Sequence, residues 1–171
     1  MPADLGLVMI RVVIGGLFMG HGLQKLTRWV GGYGLAGTAG YMESLGLRPG
    51  RLWALVAGLC ETLGGALFAL GLLNPVGSVL IGAVMLMAIA RAHWGRGPWV
   101  ANGGWEYALA NLTVVTGVAL TGPGAYAVDS VLGRTLPVVP ILVAGLALAL
   151  VVVVGSTVVA PVPAHGSQQT G

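Results

Sequence analysis

The sequence predicts an all-α fold, a transmembrane helical bundle of five apolar helices. Three observations carry this. Hydrophobic residues make up 56% of the 171 and charged residues only 8%, whereas a water-facing domain carries roughly 25% charge. Mean hydropathy is +0.91. Five stretches come close to the ~20 apolar residues that a bilayer crossing requires.

The first stretch covers residues 5–26 and ends in "GHGLQKL". It lacks a basic leader and is long enough to span, so it reads as a helix of the bundle and not as a cleavable signal. The connection that follows, residues 27–51, is the longest. Within it Leu35, Ala39, Met42 and Leu45 recur at helical spacing, which predicts a short helix lying in the interface or over the mouth of the bundle. The second span covers residues 52–73, closed by the turn signal Asn74-Pro75. The third covers 76–94, the fourth 105–121 and the fifth 138–160. The polar tail at residues 161–171 is expected to be disordered.

The formal charge is +3 and the isoelectric point near 9.5. The cations are scattered and form no phosphate-tracking patch, so nucleic acid is not a partner. They fit membrane topology better. Lys25, Arg28, Arg48, Arg51 and Arg96 share one side, and only Arg134 lies on the other. Positive residues favour the cytoplasm, which predicts an outside N-terminus and a cytoplasmic C-terminus. Cys60 is the lone cysteine, which rules out an intramolecular disulfide or a CxxC pair; packing within a helix is the simplest role for it.

The polar residues inside the spans concentrate on the basic side. His21, Gln24 and Lys25 close the first helix; Arg91 and His93 close the third; Asn102 and Glu106 open the fourth. Glu61 lies about nine residues into the second span, roughly 13 Å deep at 1.5 Å per residue. The fifth span carries no ionisable residue, so the site is expected to form without it. A charge in hydrocarbon costs about 2.5–3.5 kcal/mol on insertion scales, so these groups should turn inward and pair. Glu61, too short to reach the interface, is the sharpest candidate, and His21 is its expected partner. Lys25, Arg91 and His93 sit close enough to the interface to snorkel, and Arg11 reads as an anchor toward the opposite side. Trp94 and Trp105 are candidate ring contacts for a ligand. Gly16 and Gly20 form a GxxxG pair, and Gly64 and Gly65 also imply close helix packing. Asn111 heads an NLT glycosylation signal, but within a helix it reads as an interhelical hydrogen bonder. No strong metal-ligand spacing, Walker loop, Rossmann fingerprint or haem-attachment motif is present, so no metal is expected.

Four segments in order resemble the DoxX family of small bacterial integral membrane proteins: "HGLQK" at 21–25, "GLCETLGGALFALG" at 58–71, His93 followed by "GGWE" at 103–106, and "GPGAYAVD" at 122–129. The resemblance implies a four-helix membrane core over residues 1–130. Residues 131–171 add a fifth transmembrane helix and the polar tail. Ala125 and Ala127 depart from the polar residues often found inside the last motif. Some branches of the family are linked to quinone-coupled sulfur oxidation or thiol redox balance, and the wider superfamily includes surfeit-locus cargo receptors.

The resulting expectation is a redox-associated, quinone- or thiol-linked protein of the bacterial inner membrane. Its polar intramembrane site would hold a bound quinone at His21, Glu61 and Glu106. Its partners would be the lipid bilayer, soluble redox enzymes and further copies of the chain, with enzyme status open. A non-enzymatic assembly subunit is the alternative from another class, and a small-solute or proton pathway is a third.

Overall fold

A computed structural model describes residues 2–159; the tail expected at 161–171 lies outside them. Seven α-helices follow one another, and no strand occurs among the described residues: α1 (Pro2–Leu26), α2 (Gly34–Ser44), α3 (Gly50–Leu70), α4 (Val76–Ala88), α5 (Glu106–Thr121), α6 (Val128–Val131) and α7 (Val138–Val159). α4 continues through a π-helical turn, Ile89–His93, and a 3-10 turn, Trp94–Arg96. Among the described residues α1, α3, α4 with its extension, and α7 are long and apolar enough to cross a membrane. The predicted fourth span is α5, with 16 residues. At 1.5 Å per residue that is about 24 Å, short of the ~30 Å hydrocarbon core.

The tightest packing joins α1 to α3, and glycine makes it possible. A Cβ on Gly15 would lie 2.8 Å from Ala69 Cβ, and one on Gly65 would lie 2.7 Å from the Met19 amide nitrogen. Gly22 abuts Thr62 and Gly58 in the same way. Gly15 and Gly22 are two turns apart and therefore lie on one line along α1. Gly16 and Gly20, the expected GxxxG pair, fall off that line and have nothing within 4 Å. On α3 the two adjacent glycines serve different neighbours. Gly65 receives α1, while Gly64 faces α4, with Leu80 Cβ 2.9 Å from its would-be side chain.

α4 sits centrally and carries α3, α5 and α7. Phe18, Phe68, Ile81, Met85, Ala108, Val115 and Val118 form the main core. A second cluster of Met42, Leu47 and Ala54 seats α2 against the first turns of α3. The predicted short helix therefore lies over the mouth of the bundle. α3 ends on Gly71 at φ 61°, with the Leu72 amide donating to the Leu67 carbonyl at 2.9 Å, a left-handed cap that a side chain would strain.

The α1 start and the α7 end lie at opposite ends of the bundle. Asp4 Oδ1 accepts from the Ala125 amide at 2.9 Å, at the end carrying the loop before α6. At the other end the Ser156 carbonyl accepts from Arg91 Nη1 at 3.3 Å.

Candidate functional site: an intramembrane cavity with one polar end

α1 ends about level with the middle of α3, because α3 starts beyond it, under α2. Glu61 on α3 thus meets the last turn of α1. Its carboxylate accepts from Lys25 Nζ in an ion pair, with side-chain exposures of 4% for Glu61 and 26% for Lys25. Lys25 does not snorkel. Its backbone carbonyl accepts from Thr38 Oγ1 of α2 at 3.2 Å, and its ammonium turns into the bundle. His21 was the expected partner, but it makes no hydrogen bond with Glu61. It stands one turn away, edge-on to Phe18 at 6.3 Å between ring centroids. The long flexible lysine stem reaches a carboxylate that the shorter imidazole does not.

This ion pair lies on the wall of a cavity of about 540 Å³. His21, Lys25, Glu61, Arg91 and His93 line it, so five of the predicted polar residues converge. The remaining lining is largely apolar, with Phe18, Tyr41, Trp53 and Tyr107 as the aromatic walls. The cavity lies in the size range of small-molecule sites. Cys60, half-buried beside Glu61, also lines it.

Three predicted residues serve loops instead. Gln24 Nε2 donates to the Val30 carbonyl at 3.1 Å. Glu106 Oε1 accepts from the Val100 amide at 2.6 Å, folding the 97–105 loop back onto the start of α5. Asn102 is exposed in a 3-10 turn of that loop. Trp94 and Trp105 stack on each other, 6.5 Å apart and 22° from parallel, and line no part of the cavity. His93 Nδ1 lies 2.7 Å from the Gly103 carbonyl. A carbonyl only accepts, so Nδ1 carries the proton there. Asn111, the expected interhelical bonder, donates to Tyr107 within its own helix at 2.8 Å.

The site was expected to form without the fifth span. α7 in fact supplies one wall through Gly145, Leu148, Ala149, Val152 and Val153. An apolar wall needs no ionisable residue, so a search for charged groups could not find it. Arg91, buried at 2% exposure, joins this wall to the roof. It donates to the Ser156 carbonyl of α7 and to the Leu45 carbonyl between α2 and α3. It projects from the π-helical turn, a feature common at functional sites. Among the described residues no group of three His, Cys, Asp or Glu side chains could hold a metal ion.

The opposite end of the bundle holds a second buried polar cluster. Asp129 accepts from the Leu73 amide at 3.0 Å and the Asn74 amide at 2.7 Å. Arg11 donates to the carbonyls of Pro123 and Tyr126. The "GPGAYAVD" segment is thereby stapled to α1 and to the α3–α4 turn. Arg11 is an internal clamp at 3% exposure, not an interfacial anchor.

The fold and the cavity define a multi-pass integral membrane protein in a lipid bilayer, its helices gathered around a largely apolar pocket with one polar end. The chain belongs to the DoxX family, whose model matches residues 6–94. It is similar to the Inner membrane protein YqjF of Escherichia coli (strain K12), 31% identical over 134 residues, which cover 77% of this chain and 95% of that protein. It is also similar to a Bacillus subtilis (strain 168) protein named "Putative oxidoreductase CatD", 30% identical over 126 residues, 74% of this chain and 86% of that one. No solved structure matches the chain significantly.

Proposed function

We propose that this DoxX protein is a redox-associated subunit that binds a membrane quinone in the cavity. The observation that carries the reading is the arrangement of the lining: an ammonium–carboxylate pair and an imidazole on one wall of a largely apolar space of about 540 Å³. Lys25 donates to a ring carbonyl, and Glu61 accepts from a ring hydroxyl. The pair thus meets either redox form with a complementary charge-assisted hydrogen bond. His21, exposed and within the lining, offers a further hydrogen-bonding ring nitrogen beside the pair. The name of the Bacillus relative supports a redox association. Electron exchange is assigned to a soluble enzyme docked on the basic face, where Arg28, Arg48, Arg51 and Arg96 are exposed.

The test is native mass spectrometry of the protein in mild detergent, with quinone extraction. The expected result is about one quinone per chain, since the volume suits a single drug-sized ligand. Glu61→Gln should lose it. A protein that retains no quinone, and takes up none when quinone is added, would sink the reading.

The basic face is proposed as cytoplasmic, from the excess of cations there, and the membrane as the bacterial inner membrane. A reporter fused after Gly171 should then behave as cytoplasmic. Periplasmic activity from that fusion would reverse the orientation.

A further inference from the structure

The cavity is roofed at its basic end. α2 covers the basic end, where Met42 is 8% exposed and Leu47 is 3% exposed. Arg91 fastens that roof by its bond to the Leu45 carbonyl. The side is different. α3 lines the cavity through Trp53, Val56 and Cys60, and α7 through Leu148, Ala149 and Val152. Both helices are seated on α4, and between themselves they make at most grazing contact. Val56, Leu148 and Val152 are exposed along this slot, at a level of the bundle where the surroundings are lipid. α7 is held instead along the side that faces α4. Gly145 packs on Val79, and Ser156 bonds to Arg91. Its middle is left standing off α3.

We propose that the cavity is loaded sideways from the bilayer through the slot between α3 and α7. The slot then holds the apolar tail of a ligand whose polar ring rests against Lys25 and Glu61. α7 is therefore the specificity element for the tail. This inference rests on the quinone reading. The slot is continuous with the cavity bearing the ion pair, its walls are apolar, and its opening faces lipid. A tailed ligand can thus reach the ring site without exposing its tail to water.

Val152→Trp tests this. Val152 is 41% exposed, so the added ring fills the slot without forcing the core apart. Val151→Trp is the control, on a 68% exposed neighbour that does not line the cavity. Two benzoquinones with the same ring, one bearing a decyl tail and one with no tail, are titrated onto the protein in nanodiscs, with protein-free nanodiscs subtracted. Thermal unfolding confirms that each variant is folded. Val152→Trp should weaken the tailed quinone by about tenfold or more and leave the tailless one within about twofold. Val151→Trp should change neither. If Val152→Trp leaves both affinities unchanged, or weakens both alike in a folded protein, the sideways slot is overturned while quinone binding stands. If the unsubstituted protein binds neither probe, the quinone reading itself fails.

Discussion

Lys25→Met is expected to destabilise the folded protein by about 3 kcal/mol, the lower end of what breaking one side of a buried ion pair costs. The lower end applies because Lys25 is 26% exposed while Glu61 is only 4% exposed. The penalty comes from Glu61, left in an apolar wall without its cation. The double replacement Lys25→Met with Glu61→Met should recover most of the loss, since apolar residues of similar size often replace a buried pair at little cost. A double-mutant cycle, read by thermal unfolding in detergent, should give a coupling of about 1 kcal/mol or more. Simple additivity would mean that the two side chains do not depend on each other. Both variants should also lose quinone, which separates a site that needs the charges from a scaffold that merely tolerates them.

Asp129→Ala should cost about 3 kcal/mol or more, through a different cause. Its buried carboxylate takes the amides of Leu73 and Asn74 at the half-buried α3–α4 turn, and hydrogen bonds to a charged group are each worth about 1.5–3 kcal/mol. The residue lies at the far end of the bundle from the ion pair. Ligand retained per folded molecule should therefore stay unchanged while the unfolding temperature falls. Loss of ligand from a protein that is still folded would show that the "GPGAYAVD" segment acts on the site and is more than a staple.

Five of the polar residues that line the candidate cavity could be read from the sequence, because charge in a membrane has few places to go. The cost of a carboxylate in hydrocarbon singled out Glu61 and His21 as its neighbour, while Lys25, Arg91 and His93, which could have snorkelled to the interface, line the same cavity in the structure. Partner choice could not be read. Whether Lys25 or His21 meets Glu61 depends on the axial offset of α1 and α3, which is set by Gly15 and Gly22 seating on Gly65 and Gly58. Glu106, Gln24 and Asn102 lie near the same side in sequence, yet backbone amides and carbonyls of nearby loops claim the first two and solvent the third.

By itself the sequence determined the class of the protein. An 8% charge content and long apolar runs permit only helices that satisfy their backbone internally within a bilayer. It also indicated the short helix, through the stripe of Leu35, Ala39, Met42 and Leu45, though its seat over the mouth came from the structure. Only the tertiary structure decided that α7 lines the cavity. Its residues 138–159 are apolar on every face, so no pattern marks the side that meets the cavity rather than lipid. That side is fixed by contacts distant in sequence, Gly145 on Val79 and Ser156 on Arg91. Hydrophobic burial has no direction of its own, and direction came from where small residues let backbones approach and where one arginine found its carbonyls.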